Sequence, residues 1–433
     1  MLDSYTALYS VTLPFLHSFA DPTMAILHRT RDLSALMPRY AESFRCIGSS
    51  CESSCCVGWP VHIDKKTYKA YRNQAHPALR SIFAKIERVA DERHPDDYAM
   101  LKLRGPQGAC PAHQDGMCLV QAALGESYLS DTCQSYPRIS RQVNGQMEQS
   151  MSLSCPEAAR LALLDGTAFD FVEAPVSVRE GTVHATNAGV NITPELMNEV
   201  RIFCLNLVRT RELAMWQRLA LLGMFCETLE RHQSGQVSPG IETIIDDFTR
   251  MIGSGELVSA LAQIQPNHEA QAMVFATLWG AKGFSVSSPF HQTLMQRIAL
   301  GLGAEVNGQT SAVALVGAYR NGLERLDSAL ESAPWLLEHY LLNEMFSQLF
   351  PLTGSNAYQV YLQLVARFGL LRLLLAAQCN ADIELPSLSM LASTVALQCR
   401  WFQHDAAYTK QVNQSLLESG WADLHKVCTL LRT

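Results

Sequence analysis

Eight of the thirteen cysteines lie between Cys46 and Cys155, and four of those fall within eleven residues, in the run Cys46-Ile-Gly-Ser-Ser-Cys51-Glu-Ser-Ser-Cys55-Cys56. The other four are Cys110, Cys118, Cys133 and Cys155. Crowded thiolates repel one another unless a cation neutralises them. Soft sulfur donors select zinc, cuprous copper or iron–sulfur clusters over hard cations. The front third of the chain is therefore expected to bind a metal or cluster, with all eight as candidate ligands. Cys204, Cys226, Cys379, Cys399 and Cys428 show no spacing pattern. They are expected to be small buried hydrophobes.

A chain of 433 residues has room for two or three domains, and with 48% hydrophobic residues it can build a large core. A net charge of −7 argues against nucleic acid or anionic lipid as a partner. No uninterrupted apolar stretch reaches the ~18 residues of a membrane span. Met1–Ala20 lacks the basic region and cleavage site of an export leader. The expected location is cytoplasmic, where clustered cysteines hold metal more often than they form disulfides. Met24 and Met37 are further candidate starts, and residues 1–38 read as a weakly ordered N-terminal extension.

The expected fold is α+β and mostly α: a small mixed α/β cysteine-rich domain over residues 39–192, then a large helical domain over 193–433. In the first, Asp64 caps a helix through Lys65–Tyr71, a second helix covers Pro77–Glu92, and His94-Pro95-Asp96-Asp97 breaks it. Tyr98–Leu103 alternates as a short strand. Asn144-Gly145 between Ile139–Val143 and Gln146–Leu153 predicts a hairpin. Ser154-Cys155-Pro156-Glu157 reads as a capping box opening a helix through Leu164, which puts Cys155 at a helix end that lowers a thiol's pKa. Short strands follow at Phe169–Val172, Val176–Val178 and Thr182–Ala185. Amphipathic helices are predicted over Pro194–Arg231, Ile241–Ile252, Ala312–Leu330, Leu336–Phe350, Ala357–Ala377, Met390–Trp401 and Ala406–Leu417.

Spacing alone leaves zinc and an iron–sulfur cluster both open. Cys51-x3-Cys55 suits one zinc knuckle, but Cys110-x7-Cys118 is wide for a second. Adjacent Cys55 and Cys56 suit a larger cluster, or two sites, better than one tetrahedral ion. The Cys-x3-Cys-x2-Cys signature of radical S-adenosylmethionine chemistry is absent. His113, between Cys110 and Cys118, is an alternate ligand; His62 and His184 are not.

Several segments resemble the flagellin lysine N-methyltransferase family, within a wider group of cysteine-rich zinc- or iron-chelating proteins. They are Cys46-x4-Cys51-x3-Cys55-Cys56-x-Gly58-Trp59, Cys110-Pro111, Cys118, Gly125-Glu126-x-Tyr128-Leu129-Ser130-Asp131-Thr132-Cys133-x-x-Tyr136-Pro137-Arg138 and Leu153-Ser154-Cys155-Pro156-Glu157-Ala158-Ala159. Glu338-His339-Tyr340-Leu341-Leu342-Asn343-x3-Phe346 with Phe350-Pro351 is similar as well. The resemblance implies methylation of lysine ε-amines on a flagellin partner, S-adenosylmethionine as donor, and a 4Fe-4S cluster on four of the eight cysteines.

Methyl transfer needs a neutral amine, whereas a free lysine has a pKa of about 10.4. A base or a desolvating pocket is therefore required. Tyr136, Glu157 and Glu338 are candidates, each with a structural role as the plainer alternative: packing against the cluster, closing the capping box, and facing solvent. Arg138 and Arg141 are candidate counter-charges for a cluster. Gly301-Leu302-Gly303-Ala304-Glu305 lacks a preceding strand and reads as a turn between helices, not a donor loop. Trp216, Trp335, Trp401 and Phe402 read as core. The competing expectation is a non-catalytic zinc-binding module fused to a helical protein-interaction domain.

Overall fold

The computed structural model describes residues 27–57, 61–89, 98–103, 108–114, 116–186, 192–236, 239–281, 288–305, 310–353, 356–403 and 406–433. The motif residues Gly58-Trp59 and the breaker 94–97 lie outside these.

The chain is mostly helical α+β, with its strands confined to the N-terminal part. A five-stranded sheet runs in the order Val183–Thr186, Arg138–Val143, Gln146–Met151, Arg31–Pro38, Phe171–Val178. Arg138–Val143 and Gln146–Met151 form the expected hairpin. Asn144 and Gly145 turn it with φ of 49° and 90°, the two positive values a tight hairpin turn needs. Arg31–Pro38 pairs antiparallel with Phe171–Val178 along its whole length and parallel with Gln146–Met151. These eight residues correct the expectation of a weakly ordered extension through residue 38. Their Ala35 and Met37 side chains are buried in the main core.

A three-stranded sheet, Val61–Ile63, Ala99–Leu101 and Ile86–Arg88, shares a small hydrophobic core with Tyr71 of the helix Lys65–Arg72. Asp64 caps that helix as expected, accepting from the amides of Lys66 and Thr67 at 2.9 Å each. The helix expected over Pro77–Glu92 ends at Phe83, because Ile86–Arg88 pairs with Ala99–Leu101 instead. Phe171–Val178 is one strand, not two, since Pro175 sits on an edge strand where its missing N–H costs nothing.

The helix expected over Pro194–Arg231 is two helices, Pro194–Val208 and Met215–Gln233, with the second starting where the Ala214 amide donates to the Gln217 side chain. Ala357–Asn380 forms the axis of the helical part and is apolar all round, the pattern of a helix enclosed by others. It is long and apolar enough to cross a membrane, but 89% of its most apolar window is buried in protein. Gly301 and Gly322 let two neighbouring helices approach its backbone; a Cβ on either would meet the main-chain oxygens of Ala377 and Ala376. Gly303, at φ 79°, turns the chain after Pro289–Gly301, as the helix–turn reading of 301–305 expects.

The change of secondary structure near residue 192 is not a break in the core. One hydrophobic cluster runs from Ala35 and Met37 through Leu153 and Leu163 to Tyr340, Leu371 and Leu431. Arg201 on the helix Pro194–Val208 grips Glu148 on the sheet with two bonds of 2.8 and 2.7 Å, both residues being buried. Cys204, Cys226, Cys379, Cys399 and Cys428 are all buried, as the sequence suggests.

Candidate functional site

A cavity of about 920 Å³ opens between the cysteine-bearing loops and the helical part. Cys46, Cys51, Cys55, Cys56, Cys118 and Cys155 line it. Cys110 and Cys133 do not line it but flank it.

The loops converge for identifiable reasons. The Cys110 amide donates to the Cys56 carbonyl at 2.7 Å, and Val57 bridges Ala109, so the first and second cysteine segments are tied backbone to backbone. Gly116, at φ 78°, lies against Ser49, where a Cβ would come within 3.0 Å of the serine Cβ. Three arginines then staple the segments to the scaffold. Arg160 joins Glu52, at 2.6 Å, to the helix Pro156–Leu164 that follows Cys155. Arg179, itself buried, donates to the carbonyls of Leu129 and Glu126 and pairs with Asp131, fixing the turn before Cys133. Arg400, in the last turn of the helix Leu388–Phe402, donates to Ser53 Oγ, to the Ser54 carbonyl and to the Val57 carbonyl.

The thiols form one electrostatic unit. A hydrogen bond from Cys56 brings the Cys55 pKa down to about 7, with Arg400 assisting against burial. The same bond drives Cys56 far up, helped by burial and by the charges of Cys55, Cys118 and Cys110. Burial raises Cys51, Cys110 and Cys118. Cys133 keeps an exposed edge, but protein crowds its thiol and pushes it up to about 12, with Cys118, Cys110 and Cys55 adding to the effect. Cys155 is also pushed up to about 12. Burial there outweighs the amides of Ala158 and Glu157, which corrects the expectation of an acidified thiol at a helix end. Without a cation to neutralise them, most of these sulfurs hold their protons; bound metal displaces those protons.

Among the described residues, no three of the eight sulfurs lie within 4.8 Å of one another. The three ligand-type side chains that do are His28, Asp64 and Asp131, and these are already engaged: Asp64 with its helix cap and Thr67, Asp131 with Arg179.

The other sequence candidates separate clearly. Tyr136, Arg138, Glu157 and His113 line the cavity. His113 bonds Ser54 Oγ at 3.2 Å. Arg138 lies over the Phe44 ring, 5.3 Å from its centroid. Glu157 holds Arg160 and makes no capping box; the helix is capped by Cys155 without a side-chain bond, and the Ser154 hydroxyl turns to Ser152 and Tyr136. Glu338 is neither a cavity base nor solvated: it is buried and bound by Arg211 and Arg218. Arg141 points away from the cavity, donating to the Ser347 carbonyl at 3.1 Å. His62 and His184 sit on strands outside it. Trp216 packs beneath Arg432, Trp335 donates to the Leu163 carbonyl, and Phe402 is core. Trp401, expected in the core, lines the cavity instead.

Sequence reasoning missed His291, whose Nε2 lies 3.0 Å from Ser53 Oγ at the cavity wall. Burial, then Arg400, pushes its pKa down to about 4. It missed also a buried polar chain behind Tyr136. The phenol lies 3.1 Å from Ser154 Oγ, which lies 2.7 Å from Ser152 Oγ. Ser152 donates at 3.0 Å to Gln403 Oε1, and the Gln403 amide donates to Glu344. Glu344 is fully enclosed and faces Arg367 at 3.2 Å; burial raises its pKa and the guanidinium opposes that rise. No local pattern joins Tyr136, Ser152 and Ser154 to Glu344 and Gln403, which lie far along the chain.

Residues 201–430 match the family model described as the FliB lysine N-methylase C-terminal domain. The Lysine-N-methylases of Salmonella choleraesuis (strain SC-B67) and Salmonella typhimurium (strain LT2) are each 23% identical over 364 residues, covering 81% of this chain and 87% of the relative. The flagellar biosynthetic protein FliU of Salmonella muenchen is 32% identical over 136 residues, 31% of this chain and 80% of that protein. No solved structure matches.

Proposed function

The chain belongs to the FliB lysine N-methylase family, and from that membership we propose that it is a protein lysine N-methyltransferase that modifies flagellin in the cytoplasm, with S-adenosylmethionine as methyl donor and a 4Fe-4S cluster in the cysteine-lined cavity. In this reaction the sulfonium–methyl bond breaks and a nitrogen–methyl bond forms. S-adenosylhomocysteine and one proton are released.

The observation that carries the reading is the convergence of six thiols on one cavity walled on its far side by His291, Arg400 and Trp401 of the helical part. The donor set fits a cluster. Four thiolates satisfy a 4Fe-4S centre, and Cys55, the most acidic thiol, interacts electrostatically with Cys56, Cys110, Cys118, Cys133 and Cys155. Tetrahedral zinc, with Zn–S of about 2.3 Å, needs sulfurs about 3.8 Å apart. The adjacent Cys55 and Cys56 suit a cluster, whose ligands bind different irons, better than one such ion. When bound, such a cluster supplies Lewis-acidic, redox-capable iron and neutralises the thiolates.

This chain's own residues do the rest. Arg138 lines the cavity as a cation stacked on Phe44, suited to balance an anionic cluster or to meet a donor carboxylate. Arg138 and Arg400 line the wall, and a cation beside them is disfavoured relative to the neutral amine. Elemental analysis of protein purified without oxygen tests the reading. Brown protein with iron and sulfide is expected; colourless protein with stoichiometric zinc would instead favour the non-catalytic zinc module.

A further inference from the structure

The clustered cysteines divide between two cores. Cys110 belongs to the small core built on the three-stranded sheet, with Val61, Ile63 and Tyr71, and Cys56 and Cys118 pack against it. Cys133 stands on the short helix Asp131–Ser135, which lies beside the strand Val61–Ile63 of that core. Cys155 packs against the main core instead. Two phenols mark the same division. Burial raises Tyr71, in the small core, and the charges of Cys133, Cys118, Asp64 and Cys110 add to it. Burial also raises Tyr136, on the cavity wall, and there the charge of Cys155 adds most. Cys46, Cys51, Cys55 and Cys155 line the cavity, and the charges of Cys51 and Cys55 act on Cys155. Cys56 and Cys118 show the cavity an edge, whereas Cys110 and Cys133 are not on its wall.

The two sets also meet different charges. Arg400 acts on Cys55 and Arg160 on Cys51. The charges that act most on Cys56, Cys110, Cys118 and Cys133 are those of other cysteines. The backbone nonetheless receives two of these sulfurs as thiolates. The amides of Ala112 and His113 donate to Cys110, and those of Gln121 and Val120 donate to Cys118. Such bonds are strongest when the acceptor is charged. The main chain also ties three of the segments together before any ion binds. The Cys110 amide donates to the Cys56 carbonyl at 2.7 Å, and His113 pairs with Cys118 across two short strands. Thiolates crowded in this way need a bound cation.

We propose that the eight cysteines form two metal centres: Cys46, Cys51, Cys55 and Cys155 hold the cluster that faces the cavity, and Cys56, Cys110, Cys118 and Cys133 hold a second centre behind the cavity wall, which braces the small core. The adjacent Cys55 and Cys56 serve one centre each. With four protein thiolates, two of them off the cavity, the second centre keeps no open position for a substrate, which is the mark of a structural site. Four thiolates bind one zinc ion or a further iron–sulfur cluster, and the metal found tells these apart. The cavity set takes its cluster from the reading above; the second centre stands without it.

The test counts iron, zinc and sulfide in the full chain purified without oxygen, as wild type and as Cys110→Ser, Cys133→Ser and Cys155→Ser. Wild type is expected to hold more metal than one four-thiolate centre can: about four irons with about one zinc, or about eight irons. Cys110→Ser and Cys133→Ser are expected to lose the zinc, or half of the iron. Cys155→Ser is expected to keep that share and lose the cavity cluster. Cys133 has an exposed edge, so its variant serves if Cys110→Ser does not fold, and the wild-type count needs no variant at all. About four irons and no zinc in wild type would overturn the second centre. So would full metal content in Cys133→Ser, or a Cys155→Ser protein with no metal left. Wild type with about one zinc and no iron overturns the cluster reading instead. The second centre then holds if Cys133→Ser removes that zinc and Cys155→Ser does not, and falls if the effects are reversed.

Discussion

Arg400 reaches out of the last turn of the helix Leu388–Phe402 to the main-chain oxygen of Ser54, 3.1 Å away, and so carries the tightest cysteine loop on the helical part of the molecule. The same guanidinium holds Ser53 Oγ and the Val57 carbonyl. Arg400→Lys keeps the charge but not the fork that spans three acceptors. Hydrogen bonds from charged groups contribute about 1.5–3 kcal/mol each and do not add fully. The lysine variant is expected to unfold at a lower urea midpoint, by about 2 kcal/mol, and to lose iron more readily to a chelator. An unchanged midpoint and unchanged chelation rate would show that the loop does not depend on this staple.

His291 ties stability to acid pH. Its folded pKa, down to about 4 from 6.5, means that the unfolded chain binds a proton the folded one refuses. Its contribution is therefore full above pH 6.5 and is lost as pH falls toward 4, by about 3 kcal/mol at about 1.4 kcal/mol per pK unit. His291→Gln should flatten this part of the profile. Urea unfolding of both proteins between those pH values decides it, and parallel curves would refute the assignment.

The Arg201–Glu148 pair joins sheet to helix inside the core. Breaking one partner of a buried pair costs about 3–5 kcal/mol, because the survivor is left charged and unpaired. Glu148→Gln is expected to lose that much in denaturant unfolding. Replacing both, as Glu148→Met/Arg201→Leu, should recover a large part of it. A double variant as unstable as the single would mean that the cost lies in packing and not in the orphaned charge.

The cysteines divide by position. Cys55→Ser and Cys56→Ser, at the centre of the coupled thiols, are expected to abolish bound iron. Cys204→Ala, enclosed in the core and not on the cavity wall, is expected to leave iron content unchanged while costing stability through a small void. Iron retained by the Cys55→Ser/Cys56→Ser protein would place the centre elsewhere.

Much of the local structure was legible because it is written in neighbouring residues. The Asp64 cap, the Asn144-Gly145 turn and the burial of the distal cysteines each follow from a few adjacent side chains. What was not legible depends on partners far along the chain. Arg31–Pro38 begins with Arg-Asp and looks like a tail until two strands more than a hundred residues on flank it. Ile86–Arg88 has acceptable helix formers and becomes a strand only because Ala99–Leu101 pairs with it. Glu338 and Trp401 were misplaced for the same reason. Periodicity puts a residue on a helix face but does not say whether that face meets two arginines or a cavity. The cysteine run showed that sulfurs gather; Arg160, Arg179 and Arg400, which gather them, have no signature in sequence.

Mass spectrometry of flagellin incubated with the iron-loaded chain and isotopically labelled S-adenosylmethionine tests the account most directly. Labelled methyl groups on lysine ε-nitrogens, absent when the Cys55→Ser/Cys56→Ser protein is used, are the predicted result. Unlabelled flagellin after incubation with protein that demonstrably carries its iron would contradict it.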